Sequence, residues 1–299
     1  MIKPQKALHL YLELEKKRTK VADDKFVIFE KFDGWYGLRE TIGEGLISSD
    51  IMSRAGRAIP SLVGLSASLS AFEQTKLITV KGTIIFEILV EGIPVFSELN
   101  GMLNRSKGEC ECKGAYLMVH DFVPADDEAM PFLERYQLAS AYVEALGHRK
   151  VRIAPIIAIG DCNEVQRQAE LIWDRRSKDI SDEGSIGKRI DAPYSAGKRN
   201  KDIIKVKSEV TLECVVVGLE EGEGKYAGTL GKLIVQQKNG LTHSVSGMSD
   251  EERYQWWTNP DYIKGQVVEL AAMQILENGS LREGRMKAVR HDKGVSEID

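Results

Sequence analysis

Runs of apolar residues separated by polar turns fill the first two thirds of the chain and predict a mixture of strands and helices. The four consecutive β-forming residues Phe26–Phe29 indicate a strand that is covered on both faces. Other apolar runs predict strands over 81–92, 115–124 and 151–159. Apolar residues at helical spacing predict helices over 64–76 and 128–146, and a third that starts at 161 or 163 and runs to 173. Gly147 is expected to end the second of these helices. Leu8, Leu10, Leu12 and Leu14, set among charged residues, are interpreted as part of a short helix.

The pattern changes after Lys207, where short apolar runs alternate with glycine-rich turns. These runs predict strands over 211–219, 230–237, 242–246 and 266–276, with a helix inserted over 250–258. Asn239–Gly240 is a strong hairpin signal. About five strands in this length are typical of a small Greek-key barrel of the OB type. The chain is therefore divided into residues 1–207 and 208–299, and the basic run 281–293 is placed beyond the last strand of the barrel.

Composition narrows the class of protein without assigning a function. The chain has 299 residues, of which 42% are hydrophobic and 29% charged, and its formal net charge is −4. These values are ordinary for a soluble globular protein. The absence of a signal sequence or a long apolar segment leads us to expect a cytoplasmic protein without membrane contact. The cysteines, Cys110, Cys112, Cys162 and Cys214, lack zinc-binding spacing, so we expect reduced thiols.

Lys31 is the first candidate for chemistry, because it directly follows the buried run and precedes the turn signal Asp33–Gly34. A lysine that is desolvated loses its proton more easily, and the neutral amine is a nucleophile. Asp33 could orient this amine or bind a metal ion. The alternative is an ordinary lysine at the end of a surface strand, and this segment alone leaves both interpretations open.

Further candidates are charged residues in positions that require a partner. Glu87 interrupts an apolar strand, and a buried carboxylate needs a hydrogen bond, a cation or a metal ion. Lys205 and Lys207 lie two residues apart, so they share one face of a strand and would repel each other without an anion between them. Arg54 and Arg57 flank a glycine and could contact phosphate, although solvated surface arginines fit equally well. His120 is either a core residue or a ring that stacks on a flat ligand.

In this order along the chain, these segments resemble the motifs of the ATP-dependent DNA ligases, most closely the compact bacteriophage and viral enzymes of the nucleotidyltransferase superfamily. The matching segments are Lys31–Gly34, Ser53–Gly56, Glu87, Val119–Asp121, Glu183–Gly184, Lys205–Lys207 and the terminal set Arg282, Arg290, Asp292 and Lys293. Each segment alone is a weak signal. Seven of them in order, with spacings that suit a two-domain enzyme, are hard to obtain by chance.

The resemblance implies an α+β fold, in which an adenylation domain of antiparallel sheets flanked by helices precedes an OB-fold domain. It implies a ligase that seals nicks between 5′-phosphate and 3′-hydroxyl ends through a covalent lysyl-AMP. ATP is expected rather than NAD, with Mg²⁺ as the metal ion and Mn²⁺ as its alternative. The expected partner is nicked double-stranded DNA, gripped by two domains in a C shape. We expect a monomer in the cytoplasm of a bacterial cell or of a phage-infected host.

The resemblance also implies roles for individual residues. Those implied in catalysis are Lys31, Asp33, Glu87, Lys205, Lys207, Arg290, Asp292 and Lys293. Those implied in nucleotide binding are Glu30, Lys31, Arg54, Glu87, His120, Glu183, Lys205, Lys207 and Arg282, and Glu87 and Glu183 are the implied metal ligands. Those expected to contact DNA phosphates are Arg39, Arg54, Arg57, Arg105, Lys188, Lys198 and Arg199.

The chain departs from the family pattern in three places. Tyr36 stands where the nucleotidyl motif usually has an arginine, and Arg39 is the nearest substitute in the sequence. Phe29 stands where many relatives have a glutamate that reads the adenine amine, and His120 replaces the usual stacking aromatic. Three rival functions are an RNA ligase, an mRNA guanylyltransferase that uses GTP, and a non-catalytic nucleic-acid-binding protein with an OB barrel.

Overall fold

The computed structural model describes residues 2–10, 24–41, 49–93, 96–104, 111–175, 184–207, 209–276 and 278–298. The chain forms two compact units, Met1–Lys207 (unit 1) and Ser208–Asp299 (unit 2). None of the helices in the described ranges is long and apolar enough to cross a membrane.

Unit 1 contains two mixed sheets and helices that cover them. Its described strands are β1 Lys6–His9, β2 Phe26–Glu30, β3 Trp35–Glu40, β4 Met52–Ser53, β5 Gly82–Val90, β6 Ala115–Pro124, β7 Val151–Ile153, β8 Ile156–Gly160, β9 Gly184–Arg189 and β10 Arg199–Lys207. Its described helices are α1 Val63–Thr75, α2 Phe96–Leu103, α3 Phe132–Leu146 and α4 Cys162–Asp174. The first sheet has the order β1-β10-β9-β2-β8, and the second has the order β4-β3-β5-β6-β7.

The two sheets of unit 1 face each other across a shared apolar layer. One face of β2, with Phe26 and Ile28, packs with Val165 and Ala169 of α4. The opposite face of β2, with Val27 and Phe29, belongs to a cluster that includes Phe132 of α3 and Met118 of β6 in the second sheet. Because side chains alternate along a strand, every second residue of β2 points toward the second sheet. We call this side of each sheet its inner face.

Most of the predicted elements of unit 1 are confirmed, including the buried strand that precedes Lys31. The N-cap of α4 is Asp161, whose carboxylate accepts hydrogen bonds from the backbone N–H groups of Asn163 and Glu164. The α3 helix ends at Gly147, which adopts a left-handed conformation with φ 60°. A glycine tolerates this conformation without steric cost, which explains the stop.

Two of the predicted elements of unit 1 are wrong. The run 151–159 is not one strand, because β7 and β8 lie in different sheets on either side of Pro155. The leucine-rich N-terminal segment begins as strand β1, which pairs in parallel with β10, rather than as a helix. Its leucines recur every second residue, which is the period of a strand. Residues 11–23 lie outside the described ranges.

Unit 2 is a small antiparallel barrel. Its described strands are β11 Val210–Glu221, β12 Leu230–Gln236, β13 Thr242–Val245, β14 Val267–Ala272, β15 Gln274–Ile275, β16 Leu281–Arg282 and β17 Arg285–Val289, and its helix α5 spans Asp250–Thr258. The main sheet has the order β13-β12-β11-β14-β17. A bridge between Ser246 and Arg285 brings the two ends of this sheet together. The α5 helix starts with a capping box between Ser249 and Glu252.

The basic run 281–293 does not lie beyond the last strand of unit 2, as the sequence led us to expect. Arg285–Val289 is itself strand β17 and pairs with β14, so Leu270 lies opposite Met286. Met286 is buried in the core of the unit. The charged residues around it hid the apolar side of this strand in the sequence.

Candidate active site

The end of β2 places Lys31 at one edge of the first sheet. The backbone N–H of Lys31 donates a hydrogen bond of 2.8 Å to the carbonyl oxygen of Gly184. Gly184 begins β9 and pairs with Lys207, which ends β10. Three neighbouring strands therefore bring Lys31, Gly184 and Lys207 together. Glu183, the predicted metal ligand, precedes Gly184 and lies outside the described residues.

Strand alternation puts the lysines of this edge on the inner face. Ile204 and Val206 of β10 belong to the core on the α4 side, so Lys205 and Lys207 between and after them point to the opposite face. Both lysines are partly buried. Lys205 lies opposite Ile186 of β9, which packs in the layer between the two sheets.

Glu30 and Asp33 occupy different surroundings on either side of Lys31. Glu30 pairs with Ser185 and points to the face opposite Lys31, since neighbouring residues of a strand alternate. Asp33 lies in the connection between β2 and β3 and is partly buried. The arrangement thus brings Lys31 together with the lysines of β10 and separates the side chain of Glu30 from them.

The second sheet contributes a carboxylate on its own inner face. Glu87 of β5 lies opposite Tyr36 of β3 and opposite Met118 of β6. Met118 packs in the layer between the sheets, so Glu87 and Tyr36 share that face. Burial lowers the pKa of Lys188, which lies on β9 of the first sheet, and the charge of Glu87 partly opposes that shift. Glu87 therefore faces the sheet that holds Lys31.

Glycine is required at two positions after Lys31, Gly34 in the turn and Gly37 in β3, because the backbone passes very close to β5. A Cβ atom on Gly34 would lie 2.8 Å from the carbonyl oxygen of Ile88. A Cβ atom on Gly37 would collide with the ring of Phe86, which is fully buried. This close approach keeps the Lys31 turn against the strand that holds Glu87.

A β-bulge in β6 presents two consecutive side chains to one cation. Phe86 of β5 pairs with Val119, and the next residue of β5, Ile85, pairs with Asp121, so His120 is the extra residue. Lys188 Nζ donates a hydrogen bond of 2.9 Å to His120 Nδ1 and contacts Asp121 Oδ2 at 3.3 Å. In a regular strand these side chains would point to opposite faces. The bulge removes that restriction.

Asp121 connects this cation to a second one on α3. Arg135 Nε donates to Asp121 Oδ1 at 2.9 Å, and Arg135 Nη1 donates to the carbonyl oxygen of Ala192 at 3.0 Å. Lys188 is 5% exposed, and Arg135 and Asp121 are each 2% exposed. We call His120, Asp121, Arg135 and Lys188 the buried network.

The buried network shifts the proton affinities of its members. Burial raises the pKa of Asp121, but Lys188 and Arg135 lower it by more, so that it lies below its ordinary value. Burial, followed by the charges of Lys188 and Lys31, lowers the pKa of His120 to about 3. His120 is therefore neutral at pH 7, and its ring lies within electrostatic range of Lys31.

Tyr36 occupies a buried polar position of its own. Burial, followed by the neighbouring Tyr194, raises the pKa of the Tyr36 hydroxyl well above its ordinary value. The guanidinium of Arg54 lies 4.9 Å from the centre of the Tyr36 ring. Arg54 is thus the side chain next to Tyr36, which stands where the motif usually has an arginine. The sequence had assigned Arg54 both to nucleotide binding and to DNA binding.

Two of the predicted DNA contacts are wrong. Arg39 is 0% exposed, and its Nη2 atom binds Glu73 at 2.8 Å and Ser70 at 3.0 Å, so it cannot replace the motif arginine at a DNA strand. Lys188 is buried in the network described above. Both belong to short charged segments, in which the sequence does not distinguish a buried cation from a solvated one. The other predicted contacts, Arg54, Arg57, Lys198 and Arg199, are exposed, and Arg105 lies outside the described residues.

The terminal motif of unit 2 forms a separate charged cluster near the surface. Arg290 binds both carboxylate oxygens of Asp292, at 2.9 and 2.7 Å, and contacts Glu213 at 2.8 Å. Lys293 also binds Glu213, at 2.8 Å. Arg282 lies in the short strand β16 and is partly buried. We call Arg290, Asp292, Lys293 and Glu213 the terminal cluster.

Sequence reasoning missed Arg135, Tyr194 and the pairing of Asp121. Asp121 stands in an apolar strand just as Glu87 does, so the same rule about buried carboxylates could have singled it out. Arg135 lies on the buried face of α3, but a single arginine in an amphipathic helix is usually solvated. Its partner lies 14 positions away, and only the packed structure identifies it.

Unit 1 places Lys31 at a strand edge between two facing sheets, and the barrel of unit 2 follows it in the chain. No family model matches the chain. A DNA ligase of Methanoculleus marisnigri is 32% identical over 209 residues, which cover 61% of this chain and 36% of that protein. The chain spans about a third of the length of the first curated relatives that it matches.

Solved structures share this fold over nearly the whole chain, and two of the three described here are named DNA ligases. A structure named Pmar-Lig_PreS3 has a TM-score of 0.77 and 22% identity, with 97% of this chain and 68% of that chain covered. A Lig E DNA ligase has a TM-score of 0.70 and 20% identity, with 96% and 98% covered. The ATP-dependent DNA ligase of bacteriophage T7, solved with ATP, has a TM-score of 0.52 and 16% identity, with 96% and 98% covered.

These likenesses confirm the fold class and the resemblance that the sequence motifs predicted. The chain has the nucleotidyltransferase and OB fold of the DNA ligases, and its curated relatives carry the name DNA ligase.

Proposed function

We propose that this chain is an ATP-dependent DNA ligase that seals nicks between 5′-phosphate and 3′-hydroxyl ends, with Lys31 as its nucleophile. The observation that carries the proposal is the backbone ladder that sets Lys31 beside Gly184 and Lys207 at one strand edge. Glu87 faces this edge from the second sheet. An amine beside two further cations and a carboxylate suits attack on a polyphosphate.

In the first step, the neutral Nζ of Lys31 attacks the α-phosphorus of ATP. A P–N bond forms, the P–O bond to pyrophosphate breaks, and the amine gives up a proton. Lys205 and Lys207 project from the same strand face and would offset the negative charge on the α-phosphate. Such preorganised charges supply most of the catalysis in phosphoryl-type transfers.

In the second step, a 5′-phosphate oxygen at the nick attacks the phosphorus of the lysyl-AMP, and the P–N bond breaks. Lys31 recovers its proton and leaves as the amine. In the third step, the 3′-hydroxyl attacks the 5′-phosphate, loses its proton and displaces AMP. The activated phosphoanhydride supplies the free energy for the new phosphodiester.

A divalent cation fits the carboxylate of Glu87 as one ligand among several. The described residues contain no group of three or more His, Cys, Asp or Glu side chains that could hold a metal ion. Mg²⁺ is commonly bound by one or two carboxylates together with substrate phosphates and water, and Glu87 with Glu183 suits that mode. The ion would neutralise phosphate charge. We propose Mg²⁺, with Mn²⁺ as its substitute.

We further propose that Arg282, Arg290, Asp292 and Lys293 of unit 2 orient the pyrophosphate during the first step. Arg290 and Lys293 would then exchange their contacts with Glu213 for contacts with phosphate oxygens. A partly exposed ion pair is weak enough for such an exchange.

Binding of the nicked duplex is proposed to depend on phosphate contacts from exposed cations. Arg54, Arg57, Lys198 and Arg199 satisfy the requirement of exposure in unit 1. Contacts of this kind are independent of sequence and weaken steeply with salt. Sealing of a nick should therefore fall as salt rises, while self-labelling with ATP should not. Equal salt dependence of the two reactions would contradict a DNA-binding surface that is separate from the site of self-labelling.

The nucleophile is tested by incubation with α-labelled ATP and Mg²⁺, followed by denaturing gel electrophoresis. We expect label on the wild type and none on Lys31→Ala. Lys25→Ala is the matched control, because Lys25 lies exposed at the other end of the same strand, and it should label normally. Label that survives in Lys31→Ala would overturn the assignment of the nucleophile.

A parallel incubation with α-labelled GTP tests the rival guanylyltransferase. Labelled nicked DNA and labelled nicked RNA then separate a DNA ligase from an RNA ligase. Preferential labelling by GTP, or sealing of the RNA substrate alone, would replace the proposed function by one of these rivals.

A further inference from the structure

The hydrogen bond between Lys188 and His120 determines which nitrogen of the imidazole carries the proton. Lys188 Nζ lies 2.9 Å from His120 Nδ1. Burial lowers the pKa of Lys188, but the contact with the Asp121 carboxylate favours its ammonium form, which has only donors, so Nδ1 is the acceptor. Because the pKa of His120 is lowered to about 3, the ring is neutral at pH 7 and its single proton lies on Nε2. Lys188 therefore fixes one tautomer.

In this tautomer, the Nε2–H group of His120 is a hydrogen-bond donor that remains available at the inner face. Within the described residues, His120 hydrogen-bonds through Nδ1 and its backbone carbonyl, and none of these bonds uses Nε2. The residue is partly exposed. The charge of Lys31 contributes to the lowering of the His120 pKa, so the two side chains interact electrostatically. A nucleotide joined to Lys31 would lie within reach of this ring.

We propose that His120 Nε2 donates a hydrogen bond to an unprotonated ring nitrogen of the adenine bound at Lys31, and that Lys188 is the positioning residue that fixes the donor tautomer. This inference rests on the proposed function and deepens it by naming a group that reads the base. Phe29, which shares the strand face of Lys31, offers no polar atom and is 2% exposed. Adenine carries unprotonated nitrogens at positions 1, 3 and 7, which only accept hydrogen bonds.

Burial and the charges of the two neighbouring lysines favour the neutral form of His120. Lys188 of β9 and Lys31 after β2 oppose protonation, while Asp121, its chain neighbour, favours it. Arg135 of α3 binds Asp121, and Glu87 of β5 acts on Lys188. The carboxylate of Asp121 is thus shared with two cations, Lys188 and Arg135. The imidazole is left as an uncharged donor.

Analogues of ATP that lack one ring nitrogen test the proposal directly. The wild type and His120→Phe are self-labelled with ATP and with its 1-deaza, 3-deaza and 7-deaza forms. We expect one analogue to label the wild type roughly five- to tenfold less efficiently than ATP, as for one lost hydrogen bond. His120→Phe keeps a flat ring and should label equally with ATP and that analogue. An aromatic ring that only stacks would give no such difference.

The outcomes separate this inference from the proposed function. If the wild type labels with ATP but treats all three analogues alike, or if His120→Phe keeps the same penalty, the hydrogen bond proposed for His120 is overturned. If ATP does not label Lys31 at all, the proposed function fails, and this inference fails with it.

The tautomer is tested separately by nitrogen NMR of the full chain labelled at histidine. At pH 7 we expect an unprotonated Nδ1 and a protonated Nε2 for His120, assigned by comparison with His120→Phe. Lys188→Met retains a long buried side chain but removes the donor, and should lose both the fixed tautomer and most of the analogue penalty. A proton on Nδ1 in the wild type would overturn the role of Lys188.

Discussion

The buried network of unit 1 and the terminal cluster of unit 2 are built from the same kinds of side chains in very different surroundings. Each joins one arginine and one lysine to a shared carboxylate at hydrogen-bonding distance, Asp121 in the network and Glu213 in the cluster. Asp121 in the network is 2% exposed, whereas Asp292 in the cluster has a side chain that is 64% exposed. Arg290 and Lys293 are likewise 25% and 29% exposed.

This difference separates a group that holds its shape from a group that can change partners. Removing one partner of a buried pair leaves an uncompensated charge in a poorly solvated site, which is very costly. In an exposed pair, water replaces the lost partner at little cost. The buried network can therefore hold His120 in one state. The terminal cluster can release its cations to an incoming phosphate.

The largest expected effect comes from the same substitution made in both places. Asp121→Asn removes the anion shared by Arg135 and Lys188 and leaves two buried cations. We expect the free energy of unfolding of unit 1 to fall by about 3–5 kcal/mol. Asp292→Asn is the matched control and should leave stability unchanged within error. Urea unfolding of both variants measures the contrast, and similar losses would abolish the distinction between the two groups.

A medium effect is expected from acidification. His120 has a pKa of about 3 in the folded chain, below the ordinary value, so the unfolded chain binds the extra proton first as the pH falls. Stability should therefore decrease between about pH 6.5 and pH 3. The lowered pKa of Asp121 adds a further loss below about pH 4, where the unfolded carboxyl becomes protonated.

The contribution of His120 can be isolated with His120→Gln, which does not titrate. Between pH 6.5 and pH 5, the wild type should lose on the order of 1–2 kcal/mol more stability than this variant. Urea unfolding at the two pH values measures the difference. An identical loss in both proteins would show that His120 is not held neutral by its surroundings.

The smallest effect on stability is expected in the terminal cluster. A substitution there should leave the fold stable but slow self-labelling with ATP. Arg290→Gln removes a cation that is partly solvated, so the urea midpoint should not shift. Self-labelling with ATP should nevertheless slow by about tenfold or more if this arginine orients pyrophosphate, as for one lost charged contact. Lys287→Gln is the control, because Lys287 forms an exposed pair with Glu269 but lies outside the motif. Normal labelling by Arg290→Gln would remove it from the proposed mechanism.

Patterns within one segment predicted the helices and strands well, but they did not predict which charged side chains are buried. The bounds of β6 follow closely from its run of apolar residues, because such a run is a property of the segment itself. Arg39 and Lys188 appeared equivalent to Arg54 and Arg57 in the sequence. Their burial depends on Glu73 and Asp121, partners that lie 34 and 67 positions away.

The sequence by itself determined the buried strand that precedes Lys31, the paired lysines on one face of β10 and the resemblance to DNA ligases. These features depend on residue type and on spacing within one segment. The bulge at His120, the pairing of β17 with β14 and the state of each buried charge were decided only by the tertiary structure. Each of them requires contacts between segments distant in the chain, and the strength of a charge interaction depends on how much water those contacts exclude.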